Sequence, residues 1–211
     1  GSEMCIRDRV VLCSRKDLKE WKFETVLAAN STGKVGTMWE CPDFFPLGDK
    51  HVLICSPQNM KAEKYEFHNG NNSVYFLGNY DKNSHIFEKE EPHTIDYGLD
   101  FYAPQTTLLP DGRRVMIAWM KSWDACVVPD TQDWQGMMTL PRELEVKDGQ
   151  IWQQPVRELA QYHKNPCHYE HAEIDGETAL SGICGRTMDL TITMDAVSYT
   201  HLRAHETTLH L

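Results

Sequence analysis

Two short loops constrain this chain more than any other feature: Pro110-Asp111-Gly112 and Asp148-Gly149 each stand between two runs of strand-forming residues. Glycine accepts the positive φ that tight hairpin turns demand, so each loop predicts an antiparallel pair. The pairs are Phe101 to Leu109 with Arg113 to Met120, and Glu143 to Lys147 with Gln150 to Gln154. Earlier runs have the same character: Val10 to Cys13, Lys50 to Cys55 after a Gly48-Asp49 turn, and Ser73 to Leu77 after Asn69-Gly70-Asn71-Asn72. The spacing predicts a mostly β chain of three- or four-stranded sheets. Such strands avoid exposed edges by forming a sandwich, a barrel or a propeller, and spacing alone does not choose among them. No tight internal repeat singles out the propeller.

Helical periodicity occurs once, at Val156, Leu159, Ala160 and His163, which share one face of a short helix. Asn165 to Glu177 is polar and irregular, and Arg186 to Met194 alternates with period two like an amphipathic strand. A domain boundary is therefore expected near residues 156 to 170. Residues 1–9 and 197–211 break the neighbouring pattern and resemble adapter-derived peptides found at the ends of reading frames assembled from environmental DNA. Both are set aside as foreign.

A formal net charge of −10, with no run of Lys or Arg, argues against a nucleic-acid partner. The 7 cysteines contain no Cys-x-x-Cys pair, so neither a zinc site nor a disulfide framework is expected. Cys167-His168 with His163 and His171 comes nearest to a ligand cluster, but its spacing fits no zinc finger; no metal and no cofactor are expected. No apolar run approaches the roughly 18 residues that span a bilayer, so no membrane partner is expected. No signal peptide opens the chain, but because the start looks foreign this does not settle localisation: the bacterial cytoplasm is favoured and secretion stays open.

The chemistry centres on Met38-Trp39-Glu40-Cys41-Pro42-Asp43-Phe44-Phe45-Pro46, which sets one carboxylate between a tryptophan and a cysteine. A carboxylate beside bulky apolar groups loses hydration, which disfavours its charged form and suits it to donate a proton. Glu40 is the candidate acid.

Several segments then fall in a telling order. Ser14-Arg15-Lys16-Asp17-Leu18-Lys19-Glu20-Trp21 resembles a Ser-x-x-Asp-Leu-x-x-Trp strand end, and Trp39-Glu40-Cys41-Pro42-Asp43 an acid/base motif. Asp96 to Gln105 (DYGLDFYAPQ) is similar to a substrate-pocket motif, Thr139 to Leu144 (TLPREL) to a late-propeller segment, and Gln154 to Leu159 (QPVREL) to the passage into a following domain. Together, over about residues 10 to 196, they resemble glycoside hydrolase family 32, the β-fructosidases. The resemblance implies an incomplete five-bladed β-propeller at 10–156, a linker with a short helix at 157–170 and the first strands of a β-sandwich at 171–196.

The resemblance also implies retaining hydrolysis of β-fructofuranosyl bonds in sucrose, sucrose 6-phosphate or fructo-oligosaccharides, by an Asp nucleophile and a Glu acid/base. Glu40 matches the acid/base, and Cys41 stands where it would influence that acid. Asp100 and Tyr102 match residues that hydrogen-bond sugar hydroxyls, and Trp119 offers a flat face for a furanose ring. Trp39 is expected near the acid, with Trp123 and Trp134 in a variable loop. The family's Trp-x-Asn-Asp-Pro-Asn-Gly nucleophile segment has no counterpart here, and Arg7-Asp8-Arg9 lacks the proline of its Arg-Asp-Pro segment. The chain is therefore expected to be inactive alone. The alternatives are a non-catalytic fructan-binding propeller and a related propeller hydrolase acting on arabinan or xylan.

Overall fold

In the computed structural model, which describes residues 2–5, 7–17, 19–121, 123, 131, 133–172, 177–185 and 187–193, both predicted hairpins are present. β9 (Tyr102–Leu108) turns into β10 (Arg114–Trp119), and β11 (Arg142–Lys147) into β12 (Gln150–Pro155). The four strands form one antiparallel sheet in the order β12-β11-β10-β9. Gly112 and Gly149 take φ of 90° and 71° at the two turns.

Two further sheets precede it. The first is β1 (Ser2–Cys5), β2 (Arg9–Ser14) and β3 (Lys22–Ala29). The second runs β4 (Met38–Leu47), β5 (Lys50–Gln58), β6 (Val74–Asp81) and β7 (Ile86–Lys89), with β8 (His93–Thr94) also paired to β6. Residues 1–9, set apart in the sequence reading, carry β1, and the Arg7 and Asp8 carbonyls accept the N–H groups of Trp39 and Asn30 at 2.6 and 2.8 Å. These are backbone bonds, which any sequence supplies.

The second sheet is buried on both faces, and its sequence shows why. Val52-Leu53-Ile54-Cys55 and Val74-Tyr75-Phe76-Leu77 are continuous apolar runs, none more than 5% exposed. Because side chains alternate along a strand, Leu53, Cys55, Val74 and Phe76 enter one core with Val10, Leu27 and Trp39. Val52, Ile54, Tyr75 and Leu77 enter a second core with Phe101, Met116, Ala118 and Leu144. One sheet thus packs between two neighbours, as a blade does in a propeller. The fold is all-β and the propeller is incomplete.

Contacts divide the chain between Val156 and Arg157. In the second unit the predicted helix is a 3-10 helix, Arg157–Tyr162, with no buried residue. Residues 187–193 carry no strand, contrary to the alternation read there. A strand is held by its neighbours, and no described strand of this unit offers it a partner. Residues 197–211 lie outside the described residues, as do Arg186 and Met194.

Candidate active site

Two bulges build the site. In β4, Glu40 pairs with Ser56 and Asp43 with Ile54, so Cys41 and Pro42 together oppose the single residue Cys55. In β9, Tyr102 pairs with Trp119 and Gln105 with Ile117, so Ala103 and Pro104 oppose Ala118. Each bulge opens on a non-glycine residue in the left-handed region, Cys41 at φ 48° and Ala103 at φ 51°. That conformation costs about 1–2 kcal/mol per residue and persists where surrounding contacts hold it. Bulges re-aim side chains, and here they turn Glu40 and Tyr102 toward each other.

The Tyr102 hydroxyl donates to Glu40 Oε2 at 2.7 Å and lies 3.3 Å from the Ser56 carbonyl. Burial, reinforced by the neighbouring Glu40 carboxylate, pushes the Tyr102 hydroxyl far above the usual phenol range, against opposing hydrogen bonds from Trp123 and Gln58. Tyr102 is therefore a fixed donor. Buried Ser56 supports it from below: its hydroxyl accepts from Ala103 N at 3.1 Å and pairs with the Ser73 hydroxyl at 3.0 Å.

Glu40 and Tyr102 face a cleft of ≈ 560 Å³, lined by Met38, Glu40, Cys41, Tyr102, Ala103, Trp119 and Trp123. Small-molecule sites run from about 300 to about 1,000 Å³, so the cleft falls within that range. Trp123 stands edge-on to both Tyr102 and Trp119, with ring centroids 6.2 and 6.1 Å apart and interplanar angles of 84° and 90°. The half-buried Trp119 closes one side, and Gly136 packs so tightly on its indole that a Cβ would sit 2.6 Å from Nε1.

The predicted residues therefore separate. Glu40, Cys41, Tyr102 and Trp119 meet in the cleft, joined by Trp123. Trp39 is wholly buried in the core and donates its indole N–H to the Val35 carbonyl at 2.7 Å. Asp100 is exposed and does not line the cleft, and neither does the exposed Trp134. The first half of its segment is bound elsewhere: Asp96 pairs with Arg142 at 2.6 Å, and Asn69 holds the Gly98 and Leu99 carbonyls at 3.0 and 2.8 Å. Asp8 pairs with Arg9 at 3.1 Å and is not a lining residue. Burial and then the Glu40 charge push the Cys41 thiol up, so it stays a neutral thiol beside the Glu40 carboxylate. Among the described residues no group of three or more His, Cys, Asp or Glu could hold a metal ion, and no helix is long and apolar enough to cross a membrane.

Residues 1–155 match the family model for the N-terminal domain of glycosyl hydrolases family 32. The chain belongs to glycoside hydrolase family 32. Raffinose invertase of Escherichia coli is 44% identical over 151 residues, which are 72% of this chain and 32% of that protein. Sucrose-6-phosphate hydrolase of Klebsiella pneumoniae is 37% identical over 190 residues, 87% of this chain and 38% of that protein. Among solved structures, the Bombyx mori family 32 β-fructofuranosidase superposes with a TM-score of 0.71 at 34% identity, over 76% of this chain and 34% of that one. The family 32 chain described above thus spans about a third of the length of these relatives.

Two contributors escaped the sequence reading. Ser56 lies in an ordinary apolar strand, and nothing local marks it. Asp43 stands inside the acid motif, but its partner Thr106 is 63 residues away. Burial pushes the Asp43 carboxyl up, against hydrogen bonds from Thr106 and the charge of Arg114.

Proposed function

We propose that the chain is the middle of a retaining β-fructosidase in which Glu40 is the acid/base, acting on a terminal β-fructofuranosyl unit of sucrose, sucrose 6-phosphate or a fructan. The observation that carries this reading is the Tyr102–Glu40 bond of 2.7 Å at the mouth of an aromatic cleft, in a family 32 chain. In a retaining mechanism the acid protonates the leaving oxygen while a second carboxylate, about 5–5.5 Å away, attacks the anomeric carbon. The first group then activates water. Among the described lining residues Glu40 is the single carboxylate, and because the sequence holds no counterpart of the family's Trp-x-Asn-Asp-Pro-Asn-Gly segment, this reading assigns the nucleophile to residues outside it. The relatives' greater length has room for them.

In this reading residues 10–156 are part of the propeller, 157–170 the linker and 171–196 the start of a second domain, with 1–9 and 197–211 foreign to both. Trp119 and Trp123 supply the face on which a furanose packs, and Tyr102 holds the acid. The test is a titration of the 211-residue chain with sucrose, followed by tryptophan emission. Saturable quenching that Trp119→Ala abolishes is expected; a flat titration, or one indifferent to Trp119, would sink the reading.

A further inference from the structure

β4 and β9 lie in different sheets, and no backbone ladder joins them. Three bonds that each use a side chain cross the gap instead. Before the bulges, Tyr102 donates to Glu40 at 2.7 Å. Within the β4 bulge, Gln105 Nε2 donates to the Cys41 carbonyl at 3.1 Å. Beyond both, the Thr106 N–H donates to Asp43 Oδ2 at 2.7 Å. A bond to a carboxylate is charge-assisted, stronger than the bond from the Gln105 amide to the Cys41 carbonyl. Arg114 backs it, with its guanidinium over the Phe45 ring at 4.5 Å and Nη1 3.4 Å from Thr106 Oγ1.

This arrangement meets a particular need. Each bulge holds a residue in the left-handed region, a conformation that persists only where surrounding contacts keep the strands from shifting. Sliding separates the Tyr102 hydroxyl from Glu40. A tether placed just past both bulges blocks that movement without entering the cleft. We propose that Asp43 is a positioning residue for the acid: through the Thr106 N–H it fixes β9 against β4 and so keeps the Tyr102 hydroxyl on Glu40. The proposal rests on the reading of Glu40 as the acid/base. Asp43 does not line the cleft and acts through Tyr102.

The experiment reads the Tyr102 ring Cζ resonance by NMR in the 211-residue chain, since that carbon reports what its hydroxyl donates to. Glu40→Ala gives the position of the broken bond. Asp43→Ala is expected to move the resonance at least half of the way there, whereas Asp43→Asn, which keeps an acceptor oxygen, leaves it in place. Leu27→Ala, a truncation on β3 in the first sheet, is the control for mere loss of stability and leaves it in place too. An unmoved resonance in Asp43→Ala overturns the proposal. So does a shift in Asp43→Asn comparable to the Glu40→Ala shift, which would mean that charge and not tethering matters; that comparison decides even if Asp43→Ala does not fold. The resonance reports the bond and not the reaction, so loss of sucrose binding would sink the fructosidase reading separately.

Discussion

Glu40 is readable from its neighbours, because the residues that identify it adjoin it in sequence. Its surroundings are not, because Tyr102 reaches Glu40, Ala103 reaches Ser56 and Thr106 reaches Asp43 only after three strands of two sheets have packed. Asp43 also gives the residue scale a pH signature. Its carboxyl is pushed up from the ordinary 3.8, with burial as the largest cause. A carboxyl that binds its proton more tightly folded than unfolded favours the folded state at low pH, and that contribution is lost as pH rises through the folded value. Relative to Asp43→Asn, the wild-type chain should therefore be most stable near pH 4 and lose ground toward pH 7. Urea melts of both proteins across that range check this. Parallel curves would show that burial of Asp43 costs nothing.

Individual strands follow a second logic. Hairpins closed by Asp-Gly were legible because the turn residue and its φ are local, and β5 and β6 were legible as apolar runs. β3 was not, since its burial is irregular, nor were β7 and β8, which are short. The alternating stretch near residue 190 erred the other way, because alternation permits a strand but only a partner makes one. Glycines offer a quantitative check at this scale. Gly36, at φ 61°, packs so that a Cβ would lie 2.2 Å from the Gln58 carbonyl, while Gly149, at φ 71°, has nothing within 4 Å. Gly149→Ala should cost about 1–2 kcal/mol, the strain of its left-handed backbone alone. Gly36→Ala should cost more by denaturant melting, because backbone must move as well. Equal costs would contradict the close approach that seats the Glu40 strand.

At the level of the whole molecule, the propeller is open. Trp21, Phe23 and Val26 are 46%, 58% and 42% exposed on and beside β3, and Leu108, Ile117 and Trp152 are 60%, 37% and 46% exposed on the third sheet. Apolar faces beside unpaired strand edges invite association. Sedimentation should show the chain associating as concentration rises, and Phe23→Lys with Trp152→Lys together should reduce it; an unchanged profile would place the sticky surface elsewhere. The same openness governs chemistry. The proposed retaining mechanism needs two carboxylates, and among the described residues that line the cleft Glu40 is the single one. The most direct measurement is therefore fructose release from sucrose by the purified 211-residue chain, beside its Glu40→Gln variant. The account predicts none from either protein; turnover in the wild type that Glu40→Gln abolishes would show that the chain carries its own nucleophile and would contradict it.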